Sequence, residues 1–178
     1  PYSDANSSRD NGFLAPLTFG EGYHNFHHMW QWDYRNAVNW YQWDPGKWII
    51  FSLAGMGLAH GLRRVPDTVI RRARLAMEAK CLAAILASAK PNLAEGLRDR
   101  LGAAKGRMDE ALLALQTRRD AWEVRKAEWR AKGQARGAAW RMLRGEWKAE
   151  RARGRRELHE AWMAWKAARM QVRGLGCT

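Results

Sequence analysis

Apolar and polar residues along this 178-residue chain follow helical periods, and no stretch alternates in the manner of a strand. Residues 1–12, PYSDANSSRDNG, are polar turn formers and predict an exposed loop. A helix is expected from about Leu17, although Gly20 and Gly22 weaken it. WDPGKW, Trp43 to Trp48, carries turn chemistry. The apolar run WIIFSLAGMGLAHGL, Trp48 to Leu62, holds 15 residues without Lys, Arg, Asp or Glu. A bilayer crossing needs roughly 20, so a buried or interfacial helix is predicted rather than a span.

Pro66 and Asp67 stand ahead of the next helical pattern, with Asp67 as the candidate N-cap. Ile70, Met77, Cys81 and Ile85 share one face of it, and Pro91 closes it. A shorter helix is expected over Leu93–Leu101, ended by Gly102 and Gly106. From Arg107 to Val172 there is no proline, which predicts one long helix or two joined segments. Six of the chain's 11 tryptophans lie there: Trp122, Trp129, Trp140, Trp147, Trp162 and Trp165. At about 100° per residue they keep to a stripe roughly 60° wide. Met108, Leu112, Leu115 and Leu158 fall on or beside it. The mixed seven- and eleven-residue spacings drive no steady supercoil, and there is no Ile/Leu seam of a leucine zipper.

Charge divides the chain. Residues 1–103 hold 12 Lys/Arg and 9 Asp/Glu, whereas residues 104–178 hold 19 and 9, so the net charge of +13 sits mostly in the tail. A polyanionic partner, whether nucleic acid or an anionic membrane face, is thus a question for the tail. Cys81 and Cys177 are too few for a disulfide framework or a thiolate metal site, which points to a reducing compartment. Pro1 opens the sequence with no secretory leader, and the chain is expected to be part of a longer protein.

The candidate chemistry lies in GEGYHNFHHMW, residues 20–30, which holds three of the five histidines. On a helix His24, His27 and His28 span about 100° of arc, so their imidazoles can face one or two metal ions. Asn25 and Glu21 are candidates for the hydrogen bonds that orient ligating histidines. The plainer reading is a polar helix face. Spacing alone does not name the metal: zinc wants a fourth ligand and Cys or carboxylate company, which the local sequence lacks, and an iron pair is equally allowed.

GEGYHNFHH, followed by DYRN, WYQWDPGKW and GLAHGLRRVP, resembles the C-terminal end of membrane-bound fatty acid desaturases of the Δ9 acyl-CoA (stearoyl-CoA) type. The resemblance covers about residues 1–80, and H-x-x-H-H resembles the third histidine box of that family. It implies the cytosolic helical cap of a multi-pass membrane enzyme; with the long amphipathic basic helix that the tail's own pattern predicts, the chain is expected to be all-α. It also implies His24, His27 and His28 as ligands of a di-iron centre. The activity implied is insertion of a cis double bond into a fatty acyl chain, CoA- or lipid-linked. That reaction uses O2 and two electrons from a donor of cytochrome b5 or ferredoxin type. The family's other two boxes and a further upstream histidine are not in this sequence, and His60 and His159 match no box. The chain alone is therefore expected to be inactive and to bind iron weakly or not at all.

The organisation expected is a desaturase portion over 1–80, a helical connector over 81–106 and a Trp-striped tail over 107–178. Trp30, Trp32, Tyr34, Trp40, Tyr41, Trp43 and Trp48 suit either a lipid-headgroup layer or packing within the cap. Arg63, Arg64, Arg71, Arg72 and Arg74 suit lipid or acyl-CoA phosphates, or a solvated face. The resemblance does not extend to the tail, whose stripe fits a membrane-surface helix or helix pairing; nucleic acid is unlikely, because one helix forms no concave platform. The competing class is a non-catalytic helical protein that binds a membrane surface or nucleic acid and holds an opportunistic metal on its histidines.

Overall fold

The computed structural model describes residues 2–3, 18, 22–133 and 137–175, without the side chains of His24, Asn92 and Leu93. Among the described residues there are five helices and no strand, an all-α chain. They are α1 (His24–Met29), α2 (Pro45–Gly55), α3 (Asp67–Ser88), α4 (Pro91–Ala131) and α5 (Ala138–Leu175). None is long and apolar enough to cross a membrane. The expected loop over 1–12 and the helix start near Leu17 lie almost wholly outside the described residues. The chain divides into two compact units, Pro1–Met77 and Glu78–Thr178, the division falling within α3.

The first unit is built around aromatic residues. Phe26 and Trp30 on one side of α1 pack with Tyr2, Val65 and Ile70, all buried. Tyr2 meets Phe26 and Trp30 edge-on at centroid separations of 5.5 and 5.4 Å, a favoured aromatic geometry. So small a core needs polar pins, and buried side chains supply them. Asn25 accepts from the Tyr2 and Ser3 amides and donates to the Ser3 carbonyl, which holds the segment ahead of α1 against it.

Asp44 caps α2 by accepting from the Lys47 amide at 3.0 Å, and its other oxygen accepts from the Asn36 and Ala37 amides. Pro45 at the first helical position is pre-set for that start. The 15-residue apolar run forms most of α2, but Ile49, Phe51, Met56 and Leu58 are exposed within this chain. Asp67 is the first residue of α3 rather than its cap, because the Val69 and Ile70 amides donate to Pro66 O.

In the second unit α4 and α5 pack antiparallel, as the pairs Trp129–Trp140, Arg125–Glu150, Trp122–Trp147 and Arg118–Glu157 show. The proline-free run breaks at Gly133, whose φ of 59° lies in the left-handed region that ends helices. The tryptophan stripe is the contact between the two helices: Trp122 and Trp147 stack at 5.2 Å with an interplanar angle of 4°. Helix pairing, rather than a headgroup layer, is what most of these tryptophans do. Trp162 alone stays substantially exposed, at 41%.

Two local expectations differ from the structure. Gly102 and Gly106 do not end a helix, since α4 runs through both. Each costs about 1 kcal/mol relative to Ala. The buried stripe Ala94, Leu101, Ala104, Met108 and Leu112 on either side outweighs that. On α3 the buried positions are Ile70, Leu75, Leu82 and Leu86, while Cys81 is exposed and Met77 and Ile85 are half-buried. Partner placement decides that face. At its C-terminal end α3 meets the start of α4, where Arg98 donates to Leu86 O.

Candidate functional site

H-x-x-H-H does form a helix, and all three histidines fall within α1. The helix has only 6 residues and no side-chain cap, so its stability comes from packing behind it. Asn25 and Phe26 on the inward side are 0% and 1% exposed, while His27 is half-buried and His28 exposed. The His27 and His28 rings lie 5.9 Å apart at 64°. At the C-terminal end the Trp30 amide donates to Phe26 O at 3.1 Å, and the Trp30 ring packs 5.2 Å from that of Phe26. The histidine face is thus carried on a short helix pinned from behind by one amide side chain and two aromatic rings.

The described residues bring no three His, Cys, Asp or Glu side chains together around a point that would hold a metal. Glu21 lies outside the described residues, as does the side chain of His24. Asn25 spends its amide on the backbone of Tyr2 and Ser3, within hydrogen-bonding distance of both.

Two buried charged clusters lie in the same unit as this helix, and sequence reasoning did not single them out. In DYRN, Asp33 accepts from Arg35 Nε at 2.9 Å, Arg35 Nη2 at 2.7 Å and the Val65 amide at 2.8 Å. The side chains of Arg35 and Asp33 are 3% and 0% exposed. Burial by itself raises the Asp33 carboxyl, but these hydrogen bonds and the adjacent guanidinium together hold it below its ordinary value. Arg35 also lies 5.7 Å from the Phe26 ring centre, so the pair supports the rear of α1.

In WDPGKW, Lys47 Nζ donates to the carbonyls of Asn39, Gln42 and Ala37 at 2.8, 3.3 and 3.4 Å. Burial pushes its ammonium below the usual lysine value, with Asp44 opposing that shift. Charged residues are almost never fully buried unless paired, so nothing in the strings DYRN and WDPGKW alone marked these side chains as buried.

Beside these clusters lies a cleft of about 550 Å³, lined by Trp40, Trp48, Phe51, Arg64, Arg71 and Arg74 among others. Arg64 pairs with Asp67 at the surface and Arg74 lies over the Tyr2 ring. Of the aromatic run, Trp30 is core, whereas Trp32, Trp40, Tyr41 and Trp43 are exposed.

Part of this chain is similar to fatty acid desaturases. Acyl-CoA desaturase 1 of Saccharomyces cerevisiae is 48% identical over 80 residues, which are 45% of this chain and 16% of that protein. A probable acyl-CoA desaturase of Schizosaccharomyces pombe is 40% identical over 82 residues, 46% of this chain and 17% of that protein. Stearoyl-CoA desaturase 4 of Mus musculus is 33% identical over 72 residues, 39% and 20% of the two chains. The chain therefore spans only about a sixth to a fifth of the relatives it matches. No family-wide sequence profile matches it, and neither does any solved structure.

Proposed function

We propose that this chain is the C-terminal portion of an acyl-CoA desaturase of the Δ9 type, lying on the cytosolic side of a membrane as part of a multi-pass enzyme. The observation that carries this reading is the 48% identity over 80 residues to acyl-CoA desaturase 1 of Saccharomyces cerevisiae. The placement of H-x-x-H-H on one helix agrees with it.

In this reading His24, His27 and His28 hold iron of a di-iron centre, and the remaining ligands come from elsewhere in the whole enzyme. The donor set fits, because neutral imidazole is a ready ligand for iron. Bound iron supplies the oxidising chemistry with O2 that removes two hydrogens from an unactivated acyl chain. The substrate is a fatty acyl-CoA or acyl-lipid, and the two electrons come from a donor of cytochrome b5 or ferredoxin type. This chain's own residues orient the ligands. Phe26 and Trp30 anchor α1 in the aromatic core, Asn25 ties it to Tyr2 and Ser3, and Asp33 with Arg35 stiffens what lies behind it. The exposed apolar residues of α2 suit a surface covered in a larger protein. By itself the chain is inactive.

The test is the transcript upstream of Pro1, followed by His27→Ala in the whole enzyme. In-frame H-x-x-x-x-H and second H-x-x-H-H clusters with several apolar spans are expected, and His27→Ala should abolish unsaturated acyl products. A start codon immediately before Pro1, or full activity in His27→Ala, would overturn the reading.

A further inference from the structure

The positive charge of α5 is concentrated on one side: of its ten Lys/Arg, only Arg153 and Arg156 lie outside a single arc, toward the glutamates, and Arg169 and Arg173 within it are held by Glu78. At about 100° per residue, Arg141, Arg144, Lys148, Arg151, Arg155 and Lys166 occupy an arc of about 80°. All six are exposed, and none has a carboxylate partner among the described residues. The helix's four glutamates, Glu146, Glu150, Glu157 and Glu160, lie in a separate arc that begins about 100° away. Two of them are occupied by α4, where Arg118 holds Glu157 at 2.7 Å and Arg125 holds Glu150 at 3.2 Å. The buried face of α5, Gly154, Ala161, Trp165, Ala168 and Val172, occupies a third sector. Pairing with α4 therefore takes up half of the acidic edge and leaves the basic one open.

That open stripe runs roughly 37 Å from Arg141 to Lys166 at 1.5 Å per residue. Toward its C-terminal end it includes Trp162, 41% exposed, and Met163 at 50% and Met170 at 62% flank the stripe within about 40°. Arg169 lies 5.7 Å from the Trp162 ring centre. A polyanion such as duplex DNA would use the cations and leave these apolar groups in water. A bilayer surface uses both, with cations against lipid phosphates and an indole among the headgroups.

We propose that this face of α5 docks the second unit onto a membrane surface rich in anionic phospholipid. The inference rests on the tail alone, so it stands or falls separately from the desaturase reading. The tryptophans stacked between α4 and α5 take no part; they hold the two helices together while the stripe stays exposed.

The experiment is flotation of the 178-residue chain with vesicles at 0.15 M salt. Pure phosphatidylcholine is compared with phosphatidylcholine containing phosphatidylserine at about a third of the lipid. Binding is expected only with the anionic lipid. Each cation removed should lower partitioning about fivefold, so Arg144→Gln, Arg151→Gln and Arg155→Gln together should lower it about 100-fold. The matched triple on α4, Arg107→Gln, Arg119→Gln and Arg130→Gln, removes the same charge from another face and should lower it far less. Trp162→Ala should weaken vesicle binding further and leave binding to a DNA duplex unchanged. Far-UV circular dichroism establishes that each variant folds, and single Arg151→Gln serves if the α5 triple does not. Equal losses for the two triples would overturn the proposal, as would binding to phosphatidylcholine alone. A duplex that displaces the vesicles, with Trp162→Ala without effect on vesicle binding, would assign the face to nucleic acid instead.

Discussion

Removing the Asp33 carboxylate is the most informative single perturbation of the first unit. Asp33→Ala deletes an acceptor that binds Arg35 through two guanidinium nitrogens and also takes the Val65 amide at 2.8 Å. The group left behind is a guanidinium only 3% exposed. Breaking a buried pair in this way costs about 3–5 kcal/mol, mostly because the remaining charge stays desolvated. Against a urea slope of about 1–1.5 kcal/mol per molar for so small a unit, the midpoint should fall by roughly 2–5 M, enough to leave it largely unfolded. Because the chain has two units, the loss is best read locally, by hydrogen exchange at the Arg35 and Val65 amides during urea unfolding.

The double variant Asp33→Ala with Arg35→Met removes the orphaned charge and should recover a good part of the loss. Acid should act in the same direction as Asp33→Ala. The folded carboxyl is held below its ordinary value, so its stabilising contribution is complete above about pH 4, the unfolded Asp value. It is lost as pH falls through the folded value. A cost under about 1 kcal/mol for Asp33→Ala, or a double variant no more stable than the single, would refute the reasoning.

Three further outcomes are expected. Asp44→Ala removes a helix cap worth about 1 kcal/mol and two more backbone acceptances. It should cost about 2–3 kcal/mol in urea unfolding, with the Ala37 amide losing exchange protection. Trp122→Ala empties the slot stacked on Trp147 and should cost about 3–5 kcal/mol, with loss of the near-UV circular dichroism that stacked indoles give. Gly154→Val should destabilise the hairpin by about 1–3 kcal/mol in thermal unfolding. A Cβ there would stand 2.6 Å from Leu115 Cδ2 and Arg118 Nη1. Gly154→Ala should come out near neutral, because both neighbours are flexible side-chain ends and Ala gains about 1 kcal/mol of helix propensity.

Much of the candidate site was legible in the sequence, because helical spacing is a local property. Three histidines at i, i+3 and i+4 share a face on any helix, and α1 forms over them. The motifs beside them, DYRN and WDPGKW, were legible as specific strings, but not as what they are physically. Asp33 reaches Val65, 32 positions away, and nothing local in either residue announces that hydrogen bond. In the same way Asn25 resembles a ligand's neighbour by spacing, yet it bonds to the backbone of Tyr2 and Ser3. The sequence marked where the polar residues are; burial decided which of them became structural pins.

The tail divides the same way. The sequence by itself determined that this region is dominated by helix, in one length or two joined segments, that the tryptophans share a face and that the charge is basic, since propensity and periodicity are written residue by residue. Only the tertiary structure decided what the stripe meets. Gly133 turns the chain back and α5 folds against α4, so most of the tryptophans face each other rather than a lipid layer. The same fold pairs α4's arginines with Glu150 and Glu157. Which of the basic residues remain open follows from that pairing: a charge counts as surface only once the partner of the opposite face is in place.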